Sequence, residues 1–254
     1  AREIVERQRA ELVLRKAQDA LIHAGKMAVL GQMSAGITHE LNQPLAALRT
    51  LSDNARLLLA NDRRDDVQKN LTLISQLTER MGKITGQLKA FARKTPLQLG
   101  RVSLRRALGN VQALLEQRLR TEQVVLTQDL AADDVEVWAE ANRLEQVLVN
   151  LIVNALDAIK EASLRRVEVV VRERAGRVSI AVRDTGSGIA ADFLPRLFEP
   201  FATTKEPGAG LGLGLAISTG IVVEFGGSLV AANLPGGGAE FTIDLASGRE
   251  TNDA

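Results

Sequence analysis

The chain has no cysteine among its 254 residues. That excludes a disulfide framework, a thiolate metal site and a cysteine nucleophile. An excess of charge is missing too: 32 lysines and arginines face 31 acids, interspersed along the chain, for a net +1. Nucleic-acid binding by bulk electrostatics is thereby excluded. No apolar run approaches the ~20 residues of a membrane span, and the first residues do not read as a signal peptide. Proline is scarce, with the first at Pro44, so little interrupts a helix before it. The length suits two modest domains with a real core. The start is charged, helical in pattern and without methionine, so the chain is expected to be part of a longer protein whose upstream part is missing.

Residues ~3–60 read as one long helix. Leu30, Ile37, Leu41, Leu48, Leu51, Ala55 and Leu58 follow the 4-3 spacing of a heptad seam. Upstream, Ala10, Leu14, Ala17, Leu21, Ala24 and Ala28 form a similar seam that slips by one residue near Gly25–Gly31. The slip either passes a helix rotation along or broadens the apolar stripe. Residues 61–66 are a polar turn, and a second helix runs to about Arg93, with Val67, Ile74, Met81 and Leu88 every seven residues. Two helices on a short turn form a hairpin that cannot bury both seams alone. A second copy, giving a dimeric four-helix bundle, is the economical solution.

Pro96 ends this pattern. Beyond it, helices are expected at ~103–119, ~140–161 and ~211–224. Strands are expected at ~123–129, ~134–138, ~166–173, ~177–183, ~227–233 and ~239–245. Val178, Ile180 and Val182 alternate with polar or small residues, as do Phe241, Ile243 and Leu245, so one sheet face is covered. Helices on that face make a two-layer α/β sandwich. Trp138 reads as a packing residue.

Several residue sets carry chemistry. His39 lies off the seam beside Glu40, which suits a nucleophile with a neighbouring base, though from this stretch alone a solvated surface histidine is the better reading. Asn150 and Asn154 share one helix face, and an asparagine carbonyl suits Mg²⁺. The alternative is a satisfied helix asparagine. Glu145 or Asn150 is a candidate to place a water or phosphate. Asp184 leads into Thr185-Gly186-Ser187-Gly188, where a carboxylate can accept from an amine and glycines let a ring come close; a plain turn is the bland reading. Gly210, Gly212 and Gly214 open a helix whose free N–H groups favour phosphate. Residues ~189–210 form a long loop suited to a lid, with Phe198 and Phe201 pinning it and Thr203, Thr204 and Lys205 placed to meet phosphates.

The stretch around His39, then Asn150 to Asn154, Asp184 to Gly188, Phe198 to Phe201 and Gly210 to Gly214 follow in that order. The set resembles the H, N, G1, F and G2 boxes of sensor histidine kinases of two-component systems. The wording His-Glu-Leu-Asn-Gln-Pro-Leu is most similar to the C4-dicarboxylate-transport and nitrogen-regulation subgroup. The resemblance implies an all-α hairpin followed by an ATP-binding α/β domain of the histidine-kinase, chaperone and topoisomerase type. It divides the chain into a signalling helix (1–28), a dimerisation and histidine-phosphotransfer hairpin (29–95), a catalytic ATP-binding domain (96–247) and a polar tail (248–254).

It further implies ATP and Mg²⁺ as cofactors, with Asn154 on the metal and Asn150, Asp184, Gly186, Gly188, Thr204, Lys205, Gly210, Gly212 and Gly214 around the nucleotide. His39 is the implied phosphoacceptor and Glu40 its orienting base. A homodimer, a response regulator receiver domain as partner, and a missing upstream sensor part complete the picture. The chain is then a cytoplasmic portion of a parent anchored in the bacterial inner membrane. Gln43 stands where many relatives have threonine or asparagine, which leaves phosphatase activity open. Asp157 and Ala158 replace a common lysine and aromatic. A non-catalytic ATP-binding dimeric scaffold and a serine-directed kinase with the same ATP-binding fold are the competing functions.

Overall fold

The computed structural model describes residues 34–92, 98–130, 134–205 and 212–248. They belong to two compact units, a helical hairpin and an α/β unit. The expected helix over residues 3–33, the seam slip, Gly210 and residues 249–254 lie outside the described residues.

The hairpin pairs α1 (Ser34–Ala60) with α2 (Arg64–Ala92). The turn is shorter than the expected polar stretch, because Asp65 and Asp66 already sit in the first turn of α2, where the helix dipole favours acids. Asp62 takes a positive φ of 55°, and the Arg63 N–H reaches back to the Leu58 carbonyl at 2.9 Å, closing α1. The assigned helix runs unbroken through Pro44, which is buried. Between the helices, Ile84 and Asn70 are buried, and the Asn70 amide donates to the Leu51 carbonyl at 3.3 Å. A polar group in such a seam fixes register. Leu45, Leu57, Leu59, Leu71 and Leu73 remain exposed, from 46% to 66%.

The α/β unit contains β1 (Gly100–Ser103), α3 (Leu104–Thr121), β2 (Val125–Asp129), β3 (Glu136–Ala139), α4 (Ala141–Ala158), β4 (Arg166–Arg174), β5 (Arg177–Asp184), α5 (Gly214–Glu224), β6 (Ser228–Asn233) and β7 (Ala239–Ala246). A five-stranded sheet has the order β2-β4-β5-β7-β6, parallel only between β2 and β4. Val167, Val169 and Val171 of β4, Val178, Ile180 and Val182 of β5, and Phe241, Ile243 and Leu245 of β7 are buried on one face. They meet Leu108 and Val111 of α3, Leu144, Leu148 and Leu151 of α4, and Ile221 and Val222 of α5 in one core. The opposite face is polar: Arg183 bridges Glu240 at 2.5 Å and Glu168 at 3.5 Å, across three strands. Such exposed pairs add little stability each. They keep the second face in water, and the result is the expected two-layer sandwich.

Strand β1 was absent from the sequence expectation. It is four residues long and exists through pairing with β3, Gly100 opposite Ala139 and Ser103 opposite Glu136. The same pairing corrects the reading of Trp138. Val137 and Ala139 alternate inward, at 0% and 1% exposure, so Trp138 faces outward and is 41% exposed. Ser103 ends β1 and caps α3, its hydroxyl accepting from the Arg106 N–H at 3.1 Å and donating to Asp134 at 2.5 Å. Ser103→Ala removes this cap, and we expect the α/β unit to lose about 1 kcal/mol. Urea denaturation followed by Trp138 fluorescence checks it; an unchanged midpoint contradicts the cap.

Candidate functional site

Asp184 ends β5 and is 3% exposed, where an isolated charge is costly. Its Oδ1 accepts the Gly186 N–H at 2.8 Å and the Ala239 N–H at 3.3 Å. Both bonds fall on the same oxygen, so Oδ2 keeps its acceptor capacity. Burial pushes the carboxyl above its ordinary pKa, and the two backbone donors pull it part of the way back.

The loop after Asp184 is shaped by close approaches. A Cβ on Gly186 would come within 2.7 Å of the Ala158 carbonyl at the end of α4. Gly188 has φ +77°, and a Cβ there would lie 2.8 Å from Asn233 Oδ1. Gly238, in the β6–β7 turn, has φ +87°, and a Cβ would fall 1.9 Å from the Asp184 carbonyl. At Gly186 and Gly238 no larger residue fits unless backbone moves, and at Gly188 the positive φ and the Asn233 side chain oppose one. Thr185 fixes the near side, its hydroxyl donating to the Leu164 carbonyl at 2.5 Å and accepting the Arg166 N–H at 3.1 Å.

The second group of predicted residues meets where α4 faces the start of α5. Asn150 donates its amide to the buried Ser218 hydroxyl at 2.9 Å. A Cβ on Gly214 would lie 2.4 Å from Asn150 Oδ1, so glycine at the first residue of α5 lets the two helices touch. Asn150 thus ties α4 to α5. Asn154, half-buried, follows one turn later on the same face. Glu145 is turned away from this pair: it accepts from Asn110 of α3 at 2.7 Å. Lys160 bridges Asp157 at 3.2 Å, and Asp157 also holds Arg118 at 2.6 Å.

In the long loop, Leu194–Arg196 form one 3₁₀ turn, Leu197 is buried, and Phe198 packs on the core. Phe201 holds the loop through its backbone. It adopts a positive φ of 66°, and its backbone N–H bonds the Gly212 carbonyl at 3.0 Å. Gly212 is also left-handed, and a Cβ there would lie 2.6 Å from the Ala202 carbonyl. The anchor is therefore a backbone clasp. Thr203, Thr204 and Lys205 are exposed. Gly210 lies outside the described residues.

In the hairpin, His39 and Glu40 belong to α1, one turn before Pro44; the structure describes their backbone only. Gln43 is exposed one turn after His39. Among the described residues, no group of three or more His, Cys, Asp or Glu is placed to hold a metal alone. An ion here fits only as Mg²⁺ does with nucleotides, taking an amide oxygen such as that of Asn154 and the rest from phosphate and water. Sequence reasoning missed Ser218, Asn233 and Gly238. A lone serine in an apolar helix and a glycine-rich hairpin turn carry no signal until their partners are known.

Two family descriptions match the chain: the His Kinase A (phospho-acceptor) domain over residues 29–97, and the Histidine kinase-, DNA gyrase B-, and HSP90-like ATPase over residues 139–249. The C4-dicarboxylate transport sensor protein DctB of Pseudomonas aeruginosa is 43% identical over 97% of this chain, and that of Rhizobium meliloti 39% identical over 96%. The chain spans only 40% and 39% of those two proteins. A crystal structure of histidine kinase ThkA in complex with response regulator protein TrrA matches 91% of this chain and 66% of that chain at TM-score 0.71, with 21% identity, a likeness of fold. Full-length ShkA in complex with AMPPNP matches 84% of this chain and 46% of that one at TM-score 0.60, with 25% identity.

The raised Asp184 pKa carries a sign. The folded chain holds this proton more tightly than the unfolded chain, so the stability it contributes is present at acid pH and lost as pH rises through the raised value. Asp184→Asn keeps an oxygen for the two N–H donors and removes the buried charge. The variant should be at least as stable as the parent at pH 7, with its advantage shrinking as pH falls. Thermal unfolding across that range tests it; a variant much less stable at pH 7 would contradict the burial argument.

Proposed function

The chain belongs to the sensor histidine kinases of two-component systems, and from that premise we propose that it transfers the γ-phosphoryl group of ATP to His39. The observation that carries this is the Asp184 carboxylate, buried and held through one oxygen only, beside a loop that admits no side chain at Gly186. Oδ2 is an acceptor for the exocyclic amine of adenine, and the glycines leave room for the ring. Asn150, Gly212 and Gly214 form the phosphate side, where the first N–H groups of α5 lack intrahelical partners. Thr204 and Lys205 are added as phosphate contacts. Asn154 would hold Mg²⁺, which would neutralise phosphate charge there.

In the reaction, a neutral ring nitrogen of His39 forms a bond to the γ-phosphorus in line as the bond to the bridging oxygen breaks and ADP leaves. Glu40 accepts from the other ring nitrogen, selects the tautomer and offsets the developing positive charge. Positioning supplies most of the acceleration. The phosphoryl group then passes to an aspartate of a response regulator receiver domain, the type of protein seen bound to ThkA. Gln43 is the candidate position for helping a water remove the phosphoryl group from that partner's aspartate, releasing phosphate.

The exposed leucines of the hairpin support a homodimer. Leu45 and Leu59 are 14 residues apart on one face of α1, at 48% and 60% exposure, and a second copy would cover them. We assign residues 29–95 to this dimerising, phosphate-accepting hairpin and 96–247 to the ATP-binding domain. The relatives are more than twice as long as this chain, which leaves room for the sensor part and membrane anchor proposed for the whole protein. No helix among the described residues is long and apolar enough to cross a membrane.

The test is incubation with γ-labelled ATP and Mg²⁺ beside His39→Gln and Asp184→Asn. Acid-labile, alkali-stable label is expected on the parent, absent from His39→Gln and lowered at least tenfold in Asp184→Asn. Label surviving in His39→Gln would discard the nucleophile; nucleotide binding without label would favour a non-catalytic scaffold. Separately, Leu45→Lys with Leu59→Lys should turn a dimer into a monomer in sedimentation equilibrium. An unchanged dimer would move the interface elsewhere.

A further inference from the structure

We propose that Asn233 is a positioning residue of the nucleotide loop, holding the backbone after Gly188 in the shape that lets Asp184 read the base. The inference rests on the nucleotide reading above. Asn233 is the last residue of β6, at the sheet edge. Its Oδ1 accepts the Ile189 N–H at 2.7 Å, and its Nδ2 donates to the Ile189 carbonyl at 2.8 Å. A backbone N–H only donates and a carbonyl only accepts, so this pairing fixes the amide orientation without ambiguity. The side chain acts as one more rung of a β-ladder, laid against the loop where β6 itself has ended.

The other end of the loop is held by the same β-hairpin. Ala239, the first residue of β7, bonds Asp184 Oδ1, and Gly238 lies so close to the Asp184 carbonyl that no Cβ fits. Asn233 and Ala239 thus flank the β6–β7 turn and grip both ends of the segment from Asp184 to Ile189. Between them lie Gly186 and the left-handed Gly188, the residue type that loses most freedom when fixed. Without the Asn233 clamp, that ordering would be charged against nucleotide binding. Asn233 is exposed, so filling space in the core is not its contribution.

The experiment is calorimetric titration of the full chain with ADP and with GDP, for the parent, Asn233→Ala and Asn233→Asp. The parent should bind ADP and prefer it to GDP. Asn233→Ala should bind ADP roughly tenfold more weakly, the scale of two lost hydrogen bonds to a partly exposed group. Asn233→Asp has the same shape, but its second oxygen meets the Ile189 carbonyl instead of donating to it, so it should weaken binding at least as much. Either variant binding ADP within twofold of the parent overturns the role. Amide exchange at Ile189 of the nucleotide-free parent gives a second measurement that needs no variant: protection is expected, and fast exchange overturns the clamp. A parent that binds no ADP sinks the nucleotide reading and this inference with it. A parent that binds while the variants match it sinks the inference alone.

Discussion

Removing a carboxylate from water costs several kcal/mol unless donors replace the lost hydration. At Asp184 the replacement comes from two backbone N–H groups, those of Gly186 and Ala239, from opposite sides. Satisfying that one oxygen requires the chain after β5 to turn back at once, and β7 to begin beside it. The tight turn needs glycine at 186, because the Ala158 carbonyl blocks a side chain. The approach of β7 needs glycine at 238, because the Asp184 carbonyl does. The end of α4, the loop after β5 and the β6–β7 turn are therefore arranged around a single carboxylate, whose second oxygen stays available to a ligand.

The hairpin follows a different logic. Its inner seam is only partly filled: Ile84, Asn70 and Pro44 are buried, while Leu48, Leu51, Ala55 and Leu58 are half-buried. Asn70 gives up apolar contact and fixes the pairing of the helices through the Leu51 carbonyl. Specificity of register is obtained there at some cost in stability. The leucines left outside are consistent with an element that completes its core only with a second copy, whereas the α/β unit carries its own core between sheet and helices.

Much of this was legible beforehand. The alternation at Val178, Ile180 and Val182 and at Phe241, Ile243 and Leu245 places both strands with one face inward, as they lie. The helix expected at ~140–161 is α4, Ala141–Ala158. Strand β1 was not legible, because four residues carry no period and its existence depends on β3. Trp138 was misread for the related reason that a strand of four residues does not announce which side is inner. Phe201 was expected to pin the loop, and the contact that holds it to Gly212 is made by its backbone, which residue type alone does not announce.

Apart from β1, the sequence by itself determined the order of elements, the two-layer sandwich, the helical hairpin and the chemical inventory of the site, because periodicity and residue type are local properties. It marked Asp184, Gly186, Gly188, Asn150 and Gly214 as one set through their order along the chain. Only the tertiary structure decided what each of them touches. The Asn150 amide holds Ser218, 68 residues away, and Glu145 faces Asn110. Asn233 reaches Ile189 across 44 residues. Contacts between residues so distant in the chain depend on how strands and helices pack, and packing is a property of the whole core that no short stretch of sequence contains.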